Sequence, residues 1–241
     1  MIWETETDGW IYPDSINQTF REFLGIEDVK LVYKGPTKRI LKGNGAPQEL
    51  GREESTNFPD VLPVLVANAG SLGELNERLS VKWKGRHKEE EGNRSGKGGE
   101  IEIERFRPNI VVSGREGEGM EAWSEDSWKT VRIIDPETES QRKQNEGIWT
   151  RFVGGEKKGL EIDIVARCAR CQVPNVDPET AEKDKKEPWD TLVSYRRVDE
   201  GVKWKPCFGM LGVPREEGEV KVGMRLEVME RTEAHKYIKG F

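Results

Sequence analysis

The sequence predicts a mainly β domain of the α+β class, a barrel-like core with two or three helices. Three observations carry that expectation. Apolar runs are short and are separated by Gly, Pro and charged turns, the punctuation of strands. Two runs, 160–168 and 219–228, alternate apolar and polar residues at period two. Only a few stretches place apolar residues at the i, i+4, i+7 spacing of an amphipathic helix.

The chain has 241 residues, enough for one large domain or two small ones. It reads as a helix–strand lead-in and loop over 1–57, a barrel domain over 58–230 and a polar tail over 231–241. Charged residues make up 35% and hydrophobics 34%, so the core is modest. A net charge of −6 argues against a general nucleic-acid or anionic-membrane partner. Three cysteines, an odd count, do not make a secreted disulfide framework and point to a reducing compartment. No apolar run reaches the roughly 18 residues of a membrane span. The opening Met-Ile-Trp-Glu-Thr-Glu resembles neither a signal nor a transit peptide, so the expected location is intracellular, cytoplasmic or mitochondrial.

Taken in order, residues 1–14 have no clear pattern. Ile16, Phe20, Phe23 and Leu24 then make a helical face stopped by Gly25. Val29 to Tyr33 reads as a strand and 34–57 as a long loop. Val64-Leu65-Val66 is a buried strand. Ser71 to Glu74 has the spacing of a capping box opening a helix to about Val81. Residues 84–99 are a charged, Gly-rich surface insertion that cannot bury enough apolar surface to order itself. Glu100 to Gly114 reads as a strand with a polar interruption, and there Arg107 and Asn109, two apart in an extended chain, face the same way. A guanidinium and an amide aimed together suit an anionic or polar ligand, although a surface arginine and a turn asparagine are the commoner explanation. Val131 to Ile134 is a strand, 135–147 a loop, and Pro188 opens a helix with Trp189, Leu192, Val193 and Tyr195 on one face. Lys205 to Gly209 turns into a strand, and Glu219 to Val228 is the last one.

The chemistry concentrates in residues 160–178. Leu160, Ile162, Ile164, Ala166 and Cys168 share one parity, so Cys168 is expected to point inward, with Cys171 just past the strand end. A thiol beside Arg167 and Arg170 is where a thiolate is favoured, and a thiolate is a nucleophile or a soft-metal ligand. Three readings compete. A zinc half-site needs a second ligand pair, and Cys207, His87 and His235 are not in ligand spacing. A redox pair should open a helix, which Pro174 and the turn 175–178 oppose. A core cysteine beside an incidental one is the third. Hydrolysis by a Ser or Cys with His is disfavoured, since His87 lies in the insertion and His235 in the tail.

Several segments resemble, in order, the MOSC domain family, shared by the C-terminal part of molybdenum cofactor sulfurase and the mitochondrial amidoxime-reducing component. They are Asn76-Glu77-Arg78-Leu79, Arg105 to Val112, Glu125-Asp126-Ser127-Trp128, Cys168 to Cys171 with Val176-Asp177-Pro178, Glu187-Pro188 to Arg196, Phe208-Gly209 and Val222-Gly223. The resemblance implies a MOSC-type β-barrel and a molybdenum cofactor, molybdenum held by molybdopterin. Matched residue by residue, it implies Cys171 as the thiolate on the metal, Arg107 and Asn109 as holders of the pterin and its phosphate, and Asp60 as an acid beside the metal. It implies an oxidoreductase for N-hydroxylated small molecules with electrons from heme and flavin proteins. The sulfurase branch implies instead a non-catalytic cofactor or sulfur carrier, and associates pyridoxal phosphate with the family. A degenerate, cofactor-free relative is the third possibility.

The chain departs from the family pattern. The additional N-terminal β domain of family members is expected to be missing. Val61 and Leu62 stand where the amidoxime reductases have hydroxyl residues, and Leu211 where an aromatic is expected. Each lost charge-assisted contact to a phosphate costs about 1.5–3 kcal/mol.

Overall fold

The structure, a computed structural model, describes residues 5–59, 61–86, 100–115, 117–136 and 159–240, without the side chains of 84–86. Asp60 and residues 87–99 of the charged insertion lie outside the described residues. The chain forms two compact units, Met1–Pro63 with Lys239–Phe241, and Val64–Ile238.

In the first unit, β1 (Gly9–Ile11) pairs antiparallel with β2 (Val32–Lys34), and helix α1 (Asp14–Leu24) lies between them in sequence. Strand β1 was not foreseen. Gly25 ends α1 in the left-handed region at φ 65°, as the sequence predicts. Buried Asn17 binds the helix to the chain on both sides: its amide donates to Tyr12 O at 2.7 Å and its carbonyl accepts from Leu31 N at 2.8 Å. The apolar face of α1 is exposed, with Phe23 at 87%.

Residues 34–57 are more ordered than the loop expected from them. They hold β3 (Arg39–Ile40), helix α2 (Pro47–Leu50) and β4 (Ser55–Thr56), with β3 and β4 antiparallel. Composition hid this because the elements are very short. The organising contact is a buried arginine: Arg39 donates to Asn57 O at 2.9 Å and to Pro59 O. Leu62 is buried beside Gly45, where an added Cβ would sit 2.6 Å from the Leu62 side chain.

The second unit is built on β5 (Val64–Asn68), β6 (Ile110–Val112), β7 (Trp128–Ile134), β8 (Leu160–Ala169), β9 (Cys207–Pro214) and β10 (Arg225–Arg231). They form one six-stranded sheet in the order β10-β7-β8-β9-β5-β6. Only the β5–β6 pair is parallel. The sheet curls into a half-barrel. Its inner face is packed by Val66, Trp128, Val131, Ile133, Ile162 and Met210. Following the pairings across, β6 and β10 run in the same direction. Among the described residues these edge strands line the two sides of an open seam, a cleft of about 930 Å³. The mainly β expectation with a few helices therefore holds.

A second layer covers the sheet's outer face. Helix α3 (Ala69–Arg86) and helix α4 (Trp189–Tyr195) pack Leu75, Leu79 and Leu192 with Ala67, Phe106 and Phe208. Helix α3 starts earlier than expected and is not opened by a capping box. Asn68 Oδ1 accepts from Gly70 N at 2.8 Å at its start, while Ser71 Oγ donates to Glu125 at 2.7 Å and Glu74 accepts from Tyr195 OH at 2.8 Å. The two polar groups reach sideways to neighbouring segments instead of back along the helix. At α4, Pro188 precedes the helix and the Glu187 carboxylate accepts from Thr191 N at 3.0 Å.

One further expectation changes. Residues 219–224 alternate but do not pair, and the strand begins at Arg225 after a turn with Gly223 at φ 95°. The polar stretch after Arg231 docks on the half-barrel: Thr232 N donates to Ser127 O at 2.8 Å, and the His235 ring lies 2.6 Å from Trp128 O.

Leu79 is fully buried between α3 and the sheet. Leu79→Ala is expected to lower the unfolding free energy by about 2–5 kcal/mol, read by denaturant titration.

Candidate functional site

The site sits where β8 ends. Bulges between Ile164 and Ala166 and between Arg167 and Ala169 shift the strand's register against β9. The strict alternation read from the sequence is broken there, so Cys168 is half-buried and not directed into the core with Ile162 and Ile164. After Ala169 the chain turns through Arg170, whose N–H donates to Pro206 O at 2.9 Å. Cys171 follows, exposed, as a free thiol with no hydrogen bond among the described residues.

The two flanking arginines do not act as the sequence suggests. Arg167 turns to acidic and carbonyl groups: 3.5 Å to Asp126, 3.6 Å to Asp199 and a hydrogen bond to His235 O at 2.9 Å. Arg170 is buried, donating to Cys168 Sγ at 3.0 Å and to Phe106 O at 2.8 Å. The guanidinium in direct contact with sulfur therefore serves Cys168.

Arg107 and Asn109 approach from a segment that is not one extended strand. Residues Ile103–Phe106 form a 3₁₀ turn, Arg107 follows in the left-handed region at φ 56°, and β6 begins only at Ile110. The alternation argument that set Arg107 and Asn109 on one face does not apply to this backbone. Phe106 explains the turn: it is fully buried, stacked on Phe208 with ring centroids 3.8 Å apart. The turn throws Arg107 outward, and its guanidinium makes no ion pair or hydrogen bond among the described residues. Asn109 is half committed: its N–H donates to Leu65 O at 2.9 Å and its side-chain carbonyl accepts from Leu65 N at 2.8 Å. That continues the β5–β6 pairing and leaves the side-chain amide as a donor at the lip of the seam cleft.

Two ties join these segments. Arg170 on the Cys turn bonds the carbonyl of Phe106, the residue before Arg107. Arg105 in turn reaches Asp177 at 2.6 Å, a few residues past Cys171. The N–H groups of Thr180 and Glu179, and then Arg105, hold the Asp177 carboxyl below its usual range, so this carboxylate stays ionised at neutral pH. Sequence reasoning missed both ties, because nothing in spacing pairs residue 105 with 177.

Beneath the site lies a buried polar network. Arg196 clasps Asp126 at 2.8 Å and stacks 3.9 Å from the Trp123 ring centroid. Glu125 accepts from Ser71 Oγ and from Asn68 Nδ2 at 2.8 Å, and burial pushes its carboxyl above the usual range against these donors. Burial, then the nearby Asp199 charge, pushes the Cys207 thiol up to about 12. Leu211, at the position where an aromatic was expected, is buried in β9.

The described residues thus combine a curled, mainly β sheet with an exposed thiol past a strand end and, on a neighbouring segment, an uncommitted guanidinium. Residues 53–227 match the MOSC domain family, and the chain belongs to it. It is 26% identical to the zebrafish (Danio rerio) mitochondrial amidoxime-reducing component 1 over 223 residues, 92% of this chain and 54% of that protein. It is 32% identical to the rat (Rattus norvegicus) mitochondrial amidoxime reducing component 2 over 219 residues, 87% of this chain and 50% of that protein. A molybdenum cofactor sulfurase of Arabidopsis thaliana is 33% identical over 201 residues, 81% of this chain and 19% of that protein. The chain thus spans about half the length of the amidoxime-reducing components it matches. Among the described residues no helix is long and apolar enough to cross a membrane.

The cysteines should separate by reactivity. At pH 8, iodoacetamide is expected to label Cys171 first and Cys168 more slowly. Cys207, buried and protonated through this range, should label only on unfolding; peptide mass spectrometry reads the order.

Proposed function

We propose that this MOSC domain holds a molybdenum–molybdopterin cofactor at Cys171 and serves as an oxidoreductase for N-hydroxylated small molecules. The observation that carries the reading is the contrast within the site. Cys171 and Arg107 are exposed and uncommitted, while their neighbours Arg170, Phe106 and Arg105 are buried and locked together.

The donor set suits such a group. Cys171 offers one soft thiolate, and among the described residues no cluster of three or more His, Cys, Asp or Glu could hold a metal ion. A metal here must bring most of its ligands with it, as a pterin-bound molybdenum does. Arg107 is free to pair with a phosphate, and the Asn109 amide can donate beside it. When bound, the group would supply removal of oxygen from the substrate nitrogen in exchange for electrons. The protein's share is to present the Cys171 thiolate, orient the anionic arm through Arg107 and Asn109, and hold the turn rigid. Electrons would come from separate heme and flavin proteins. The role implied for Asp60 rests on the resemblance alone. No described residue supports pyridoxal phosphate binding.

The match to the sulfurase favours a second reading, in which Cys171 carries sulfur or cofactor without reducing a substrate. Loaded protein that fails to reduce an amidoxime with an artificial electron donor would select it.

After expression in a host that makes the cofactor, molybdenum and pterin are expected at near one per chain. Cys171→Ser should abolish molybdenum retention while Cys168→Ser leaves it largely intact, measured by elemental analysis and pterin fluorescence. Equal loss in both variants points to a paired-cysteine role, and no loss in either removes the metal-ligand claim.

A further inference from the structure

Arg170 is 7% exposed, and its guanidinium touches no carboxylate among the described residues. One arm donates to Cys168 Sγ at 3.0 Å and the other to Phe106 O at 2.8 Å, while Nε is buried with no partner. Its Cζ lies over the Phe106 ring, 5.5 Å from the centroid. The other buried arginines of this unit differ. Arg105 has Asp177 at 2.6 Å and Arg196 has Asp126 at 2.8 Å. A buried cation without a counter-charge is costly, so an anion bound close by would offset that cost.

We propose that Arg170 is the positioning and counter-charge residue of the Cys171 site: it fixes the Cys turn against the Arg107 segment and supplies the buried positive charge that an anionic ligand at Cys171 needs. It touches sulfur and carbonyl groups of the protein, not the ligand, so it acts through the turn it holds. The ligand class is an anion whose charge lies close to Cys171, such as a metal–thiolate complex or an acidic reagent. Arg105 with Asp177 is a second strap across the same two segments. That strap carries its own counter-charge, so it contributes geometry and little potential. The proposal rests on reading Cys171 as the ligand position.

The charge can be measured without cofactor. Iodoacetate is an anion and iodoacetamide is neutral, and both alkylate the same thiolate. The ratio of their rates at Cys171, followed by peptide mass spectrometry, cancels the thiolate fraction and reports local potential. Arg170→Met is expected to lower the iodoacetate-to-iodoacetamide ratio about threefold or more. Arg170→Lys should keep most of the ratio, because it keeps the charge but not the fork. Asp177→Asn should leave the ratio unlowered while loosening the strap. In cofactor-loaded protein, Arg170→Met is expected to lower molybdenum content and shift the Mo(V) electron paramagnetic resonance signal, with partial rescue in Arg170→Lys. If Arg170→Met does not fold, Arg170→Gln is measured in its place against Arg170→Lys. An unchanged ratio in a folded charge-deleted variant overturns the proposal. A ratio that falls in Arg170→Met, beside a wild-type chain that takes up no molybdenum, keeps the counter-charge and removes the cofactor reading instead.

Discussion

Phe106 stacked on Phe208 at 3.8 Å is the contact on which the site depends. Both rings are fully buried, each removing a large apolar area from water. The stack pins a 3₁₀ turn from one end of the chain's middle third to strand β9 from near its end. Arg170 then uses the pinned ring and carbonyl as its own anchor. The geometry of Cys171 and Arg107 is thus inherited from an aromatic pair in the hydrophobic layer beneath.

Much of the residue-level likeness to the MOSC family belongs to that framework. Asn76 exchanges two hydrogen bonds with Ile101, both at 3.0 Å. Glu125 collects Ser71 and Asn68, Asp126 takes Arg196, and Glu187 caps α4 through Thr191. Gly209 sits at φ 75° where a Cβ would meet Val66 O at 2.9 Å. These residues are polar or glycine and scattered in sequence, yet each closes a buried polar group or a tight approach. Resemblance built on such residues speaks first for the fold. Cys171 and Arg107 are among the few of these positions that the framework leaves uncommitted.

The strands and helices that bury one face were legible in the sequence. The period-two run of β8 and the Gly25 stop of α1 follow from side-chain spacing alone. Elements held by polar contacts were not legible. Ser71 and Glu74 have capping-box spacing, but their partners come from distant segments, and no local pattern reports that. A shared strand face for Arg107 and Asn109 was not legible correctly, since the turn at 103–106 interrupts the strand. The place of Cys171 just past the strand end was legible, because Gln172 to Pro174 end the alternation, while its exposure is a finding of the structure. The opposite fates of Arg167 and Arg170 were not, because flanking charge in sequence says nothing of which way a guanidinium turns.

The open seam of the half-barrel has a consequence for how the protein behaves in a crowded solution. Edge strands β6 and β10 run the same way, so a direct closure would be a parallel pair. An unpaired edge is a template on which a neighbouring molecule can add a strand. Here β10 breaks its ladder with two register shifts and carries Arg225, Glu227, Glu230 and Arg231, while β6 offers only three residues. A kinked, charged edge opposite a very short one is a poor template. Among the described residues, these irregularities make both edges poor sites for adding a strand from another copy.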